Sequence, residues 1–480
     1  MKIRSIKFNF LMNSVSTVLN FIFPLITFPY VSRVLMPANY GVAEFALSTA
    51  QIFAIVALLG VNTYGQRECA RVRDSRSHQA KIMQELCLII VVWTTVVTVA
   101  YYSTVLLIPR FEANQEAFLI AGLLIPFSTL GFNWFMTANE QYSFLAVRNL
   151  LSKVFIVVCM FVFVREQNDV FAWVFISIAS TGLVSLANLI YIKREVVWVS
   201  WKQLNWKQHI KPLLVFFFMV ASISIYTTLD AVMLGYMTTD EQVAYYNIAV
   251  KIKNVFTAII AALANVIIPR AAYYLEKNNK QEYYKIVNLS VHGAVAYVFF
   301  AVFAGILFAD QIILAIAGSD YMPSTVCLIA VMPAVAFISF TQITSLEILT
   351  PQNYEKALAF TYGIAGLIDI CLNLILIPLY ASLGAAIATS VAEGFVLAAQ
   401  LIIIHRKDKI SNYTKGLTRM IIPISLAVIV LLLGRIFINT GIIESFVVIA
   451  VAGMVLLVSL LIAKEPLMEN FVGLLGRKKK

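Results

Sequence analysis

An all-α polytopic membrane fold is what this sequence predicts, and three observations predict it. Only 13% of the 480 residues are charged while 61% are hydrophobic, giving a mean hydropathy of +0.85; a soluble domain would carry about 25% charged residues. The apolar residues fall into long runs, most of which reach the roughly 17 to 25 residues a helix needs to cross hydrocarbon. Runs such as residues 427–433 and 446–463 show no alternation of polar and apolar positions, so the spans are helices and not strands of a barrel.

Spans are expected near residues 10–33, 41–64, 82–108, 117–137, 147–164, 170–192, 212–235, 243–268, 286–309, 323–345, 358–378, 383–404, 419–438 and 445–463. The first run is too long for the apolar core of a cleavable leader and lacks a small-residue cleavage pattern, so it reads as a span. Fourteen spans place both termini on one side, and the basic residues test that count. Thirty of the 36 Lys and Arg fall in alternate segments on the N-terminal side, only Arg33, Arg110 and Arg165 lie on the other, and Lys251, Lys253 and Arg435 fall within spans. The positive-inside rule therefore predicts cytoplasmic termini, with residues 65–81 and the terminal Arg477-Lys478-Lys479-Lys480 cytoplasmic. The net charge of +11 is then a matter of topology and anionic lipid headgroups, and nucleic acid is not expected as a partner.

Several function classes are excluded. No extracytoplasmic loop exceeds about fifteen residues, too short for a folded catalytic domain. The four histidines (His78, His209, His292, His405) are scattered, and there is no P-loop sequence, so the chain is expected to be a transporter and not an enzyme, without a cofactor. Cys69, Cys87, Cys159, Cys327 and Cys371 show no C-x-x-C spacing and read as small core residues.

The longest cytoplasmic connection, residues 193–211, carries Trp198, Trp201 and Trp206 among basic residues and suits an interfacial segment. It divides the chain into an N-terminal six-helix lobe (1–195), the connector (196–211), a C-terminal six-helix lobe (212–405), and two further helices with a basic tail (406–480). An offset of 203 residues pairs Asn62 with Asn265 and Arg67 with Arg270, although between 40–46 and 243–249 only the final Ala is shared. Chance matches among apolar helices are common. An even number of spans per half independently requires that any repeat be parallel, with substrate sites between the lobes near the midplane.

A series of motifs runs through most of the chain: Pro29-Tyr30-Val31-Ser32-Arg33-Val34-Leu35 leading to Tyr40-Gly41; Tyr64-Gly65-Gln66-Arg67-Glu68 with Ala70-Arg71; Glu140-Gln141-Tyr142 before Arg148-Asn149; Leu229-Asp230 with Met233-Leu234-Gly235; residues 266–270; and Leu372-Asn373-Leu374-Ile375-Leu376-Ile377-Pro378 with Gly384-Ala385-Ala386. Their order and spacing resemble the polysaccharide-flippase branch of the multidrug/oligosaccharidyl-lipid/polysaccharide exporter superfamily. Two positions depart from that pattern: Met36 stands where Gly usually precedes Pro37, and Glu44 where a neutral residue is common. The resemblance implies alternating access in a bacterial inner membrane, carrying undecaprenyl-pyrophosphate-linked oligosaccharide to the outer leaflet for O-antigen, capsule or related polymers. Polymerase and glycosyltransferases of the same pathway would be partners.

Lys251 and Lys253 lie two to three turns into span 8, where a charge costs at least roughly 2.5 to 3.5 kcal/mol. The functional reading is a water-filled cationic cavity for the diphosphate. Two residues apart, the two side chains point about 200° apart, so at most one is central and the other snorkels. Arg33 and Arg270 are further substrate-binding candidates at span ends, against interfacial anchoring and ordinary positive-inside placement. Arg435, outside the twelve-span core, reads as paired or lipid-facing. Asp230 (span 7), Asp369 and Asn373 (one face of span 11) and Thr389 (span 12) offer hard oxygens suited to Na⁺ or a shared proton, and the resemblance implies a cation site in one lobe. The alternative is a polar network that merely joins those spans. Ala385 would add its carbonyl only from an irregular helix, and Glu44 and Glu393 are secondary buried acids. The competing functions are a multidrug or metabolite cation antiporter of the same superfamily and a membrane polysaccharide polymerase.

Overall fold

The computed structural model describes residues 6–195, 199–200, 203–224, 226–408, 410–437 and 441–463; Trp198, Trp201 and the basic C-terminal tail lie outside them. The described chain is helical throughout, and twelve stretches are long and apolar enough to cross a membrane. The expected fourteen spans are accounted for by two details. Phe23–Arg71, 49 residues long, holds spans 1 and 2, and the expected span 7 is divided between Lys207–Ser224 and Tyr226–Met237. Large apolar side chains stand outward along these helices, with Leu107, Phe437 and Ile462 nearly 80% exposed. Such a surface is stable in lipid and not in water.

Spans 1 and 2 join at Met36, whose φ of 61° and ψ of 166° interrupt the helix Ile6–Leu58. That backbone region is essentially reserved for glycine, and Pro37 restricts its predecessor further. The geometry favours glycine at this position, and Met36 holds the bend under strain.

The chain divides into two compact units, Met1–Ala244 and Tyr245–Lys480. In the first, Lys207–Ser224 and Tyr226–Met237 pack against Ile6–Leu58, and the former also against Val61–Arg71. Pro109–Ala138 is irregular: a 3₁₀ turn at Pro109–Asn114 is followed by short helices Gln115–Ala121, Leu124–Thr129 and Asn133–Ala138, and Phe132 adopts a φ of 46°. Broken helices survive in membranes when neighbouring side chains satisfy the freed backbone. Here Ser185 donates to the Phe127 carbonyl and Asn188 to that of Gly131.

In the second unit the closest packing joins Glu355–Tyr380 to Ser382–Lys407, and Ser324–Gln342 lies against the latter. A Cβ at Gly384 would stand 2.3 Å from the Leu376 carbonyl oxygen, so only glycine lets these two backbones approach as they do. Arg435 pairs with Asp310 at 2.7 Å, as the pairing expectation for this intramembrane cation required.

Candidate functional site

The helix Asp240–Glu276, which lies in the second unit from Tyr245 onward, carries the two intramembrane lysines. Lys253 is 8% exposed, whereas Lys251 is half-buried. Tyr246 lies seven residues before Lys253, two turns away on the same face, and its hydroxyl meets Thr389 Oγ1 at 3.0 Å. The buried lysine thus shares its helix face with the contact to Ser382–Lys407. Thr389 in turn donates to the Ala385 carbonyl at 2.9 Å. On the neighbouring helix, Asn373 Nδ2 donates to Asp369 Oδ2 at 3.2 Å, and both residues are almost wholly buried. Glu393, 5% exposed, lies one turn beyond Thr389.

The predicted residues are not all gathered in one unit. Asp369, Asn373 and Thr389 belong to the second unit, on the two helices packed around Gly384, while Asp230, also buried, belongs to the first. Glu44 is buried in the first unit as well. Arg33 and Arg270 are exposed, the former one turn before the Met36 bend and the latter directly after Pro269.

Three buried polar centres escaped the sequence reading. Arg148, counted only as a topological cation, is 8% exposed; its guanidinium donates to Asn133 Oδ1 at 2.6 Å and to Asn188 Oδ1. Glu85 is fully buried and accepts from the Asn205 backbone at 2.6 Å and from Gln208 at 3.1 Å; its Oε2 also lies 2.8 Å from His209 Nε2, and His209 Nδ1 lies 2.8 Å from the Tyr64 hydroxyl. Glu347, fully buried in the π-helical turn Ile343–Leu349, accepts from Ser290 at 2.8 Å. Each is a single charged residue near the end of an apolar run, a sequence signal overshadowed by the midspan charges. Arg110, one of three basic residues on the sparse side, has a defined partner too: it donates to Asp240 Oδ1 at 2.6 Å and to the Gly235 carbonyl at 2.7 Å.

Comparison with solved structures identifies the fold. The chain shares its fold with an inward-closed lipid II flippase, MurJ, at a TM-score of 0.76 and 15% identity, covering 94% of this chain and 97% of the other. An inward-facing multidrug-resistance MATE transporter is similar at a TM-score of 0.62 and 13% identity, over 83% and 98% of the two chains. Residues 6–275 match the family described as polysaccharide biosynthesis protein, and the chain belongs to that family. Residues 216–375 also match the MatE family. Among its relatives, the putative O-antigen transporter of Escherichia coli K12 is 23% identical over 80% of this chain and 93% of its own length. The probable low-salt glycan biosynthesis flippase Agl15 of Haloferax volcanii is 23% identical over 35% of each chain.

Proposed function

We propose that this protein flips polyprenyl-pyrophosphate-linked oligosaccharide from the cytoplasmic to the outer leaflet of a bacterial inner membrane, with both termini cytoplasmic. The observation that carries this reading is the family match over residues 6–275, because that family is described by polysaccharide biosynthesis and this chain is built to remain in lipid. Lys253 supports an anionic cargo: a buried ammonium in a spanning helix is costly and suits a diphosphate, whose oxygens accept charge-assisted hydrogen bonds. Lys251 and Arg270, on the same helix, would add positive potential along the route, and Arg33 is a separate candidate in the first unit. The protein acts by moving substrate and not by bond chemistry.

The test is flux in proteoliposomes loaded with undecaprenyl-diphosphate-linked oligosaccharide. Lys253→Ala is expected to lower flux about tenfold, the loss of one charged hydrogen bond worth roughly 1.5 kcal/mol, while Lys253→Arg retains most of it. Equal flux from wild type, Lys251→Ala and Lys253→Ala at equal abundance rejects a cationic route. The match of residues 216–375 to the MatE family favours one second reading, a cation antiporter. Transport of a small organic cation, with no oligosaccharide flux, would select it.

Cation coupling belongs to the same proposal. The Asp369 carboxylate, the Asn373 amide oxygen and the Thr389 hydroxyl are buried hard-oxygen donors that fit Na⁺ or a shared proton. A bound cation biases the transport cycle only through its different affinity for the two conformations. Asp369→Asn is expected to abolish stimulation of flux by an imposed Na⁺ or H⁺ gradient while substrate binding persists. Unchanged ion dependence in the folded variant would leave the acidic group a structural network.

A further inference from the structure

Outside the predicted sites, the second unit contains a cavity of about 420 Å³ with a strongly biased lining. One wall is the first three turns of the helix Lys280–Leu307; the other is the segment between Ser382–Lys407 and Ile421–Phe437. Lys285, Lys415 and Arg419 line it together with neutral polar side chains, and no carboxylate does. Nearby acids have partners, and one of them pairs with Lys285 at the cavity. Asp408 accepts from the hydroxyls of Tyr284 at 2.6 Å and Tyr413 at 2.8 Å and from the Asn412 amide at 3.0 Å, and Glu282 faces Lys285 at 3.5 Å from the exposed side of its helix. Neither Lys415 nor Arg419 has an acidic partner within 4.0 Å among the described residues.

The backbone that presents these cations is fixed. Asn288 donates to the carbonyls of Tyr413 and Lys415 at 3.0 and 3.2 Å, and His292 Nε2 lies 2.9 Å from the Lys415 carbonyl. Burial, the Tyr283 phenol and the Asp408 carboxylate all push the Tyr413 phenol up, so it remains a neutral donor to Asp408. Gly416, at a φ of 90°, makes a left-handed turn between Lys415 and Arg419 that a side chain would resist. The result is a preorganised polar cradle whose Lys415 and Arg419 have no acidic partner among the described residues.

Its position selects the ligand. Two spans begin and one ends at this cavity, on the face that the basic-residue count assigns to the cytoplasm, where anionic headgroups concentrate. Immediately after Arg419 the chain turns into the outer face of its span, where Ile421, Ile422 and Leu426 are 61%, 70% and 44% exposed. A ligand with a phosphate at the cavity and hydrocarbon along that face satisfies both halves, which a soluble phosphate does not. We propose that this cavity is a headgroup site for an acidic glycerophospholipid, with Lys415 and Arg419 holding the phosphate and Lys285 at the rim. The site is separate from Lys253 and the acidic group of the proposed transport route and does not depend on that reading.

Native mass spectrometry of the full chain tests it, with dioleoylphosphatidylglycerol and dioleoylphosphatidylcholine as probes. Wild type is expected to retain the anionic lipid preferentially. At about 1 kcal/mol per cation, each of Lys415→Gln and Arg419→Gln weakens that retention about fivefold and the double variant about 25-fold, leaving phosphatidylcholine binding unchanged. Lys415→Arg and Arg419→Lys keep the charge and retain the lipid, which separates loss of the site from loss of the fold. Equal retention of phosphatidylglycerol by wild type and the double variant overturns the proposal. So does inorganic phosphate that protects the protein against heating as well as the lipid does, with the same sensitivity to the variants, since the ligand is then a free anion. Undecaprenyl diphosphate bound through these residues in place of phosphatidylglycerol also overturns it and assigns the cavity to substrate.

Discussion

Glu85 and Glu347 are the same residue type, each fully buried in a spanning helix of its own unit, yet their surroundings differ. Glu85 lies where the first unit's connector returns to the bundle, and its two oxygens accept from Asn205, Gln208 and His209, with Lys81 at 4.0 Å. Glu347 accepts one bond to Oε1, from Ser290, and its Oε2 has no hydrogen-bond partner among the described residues. Its own carbonyl takes the Tyr283 hydroxyl at 3.1 Å. The contrast teaches that burial alone says little about a polar residue in a membrane protein; the count of donors decides. A carboxyl surrounded by donors is a structural clasp. A carboxyl with one donor leaves half of its hydrogen-bonding capacity unused in a medium where that is expensive.

The comparison breaks first at Glu85. Glu85→Ala should cost about 3 kcal/mol, the penalty for leaving buried polar partners without their acceptor, read as a large fall in thermal midpoint of the detergent-purified protein. His209→Phe removes one donor and the link to Tyr64, and should cost about 1.5 kcal/mol. If both changes leave the midpoint where it is, the clasp is incidental and the contrast with Glu347 disappears.

Much of this architecture was legible in the sequence because hydrophobic length is a local property. Twelve long apolar stretches in the structure, the first of them double, correspond to thirteen of the fourteen expected spans, and the seventh is divided between two helices. The oddity of Met36 before Pro37 was legible too, and its φ of 61° supplies the reason. The candidate site was legible only in part. Lys253 and the pair Asp369 and Asn373 announced themselves as charges amid apolar runs, and helical periodicity put the latter two together. Arg148, Glu85 and Glu347 did not, because their partners lie far away in the chain: Asn188 is 40 residues from Arg148, His209 is 124 from Glu85, and Ser290 is 57 from Glu347. Hydropathy averages over neighbours in sequence and cannot show which loop folds back to satisfy a buried acid. The lipid cavity was hidden for a related reason: Lys285, Lys415 and Arg419 had been absorbed into the positive-inside count, which explains their side of the membrane and not their convergence.

The smallest effect is expected at Glu347, and it sharpens the comparison most. Glu347→Met keeps the length of the side chain and removes both oxygens, including the one without a partner. It forfeits the Ser290 bond, worth about 1 kcal/mol, but also relieves the desolvation of an unsatisfied oxygen, a term of similar size. The net change in stability should therefore lie within about 1 kcal/mol. Ser290→Ala alone should cost more than that same change in the Glu347→Met background, where the hydroxyl has already lost its acceptor. A double-mutant cycle isolates the difference as the coupling between the two residues. A coupling near 1 kcal/mol with a nearly neutral Glu347→Met places Glu347 among residues that the fold tolerates without requiring, the opposite of Glu85. A loss approaching 3 kcal/mol for Glu347→Met would instead show that its second oxygen is satisfied and that the two carboxyls are alike.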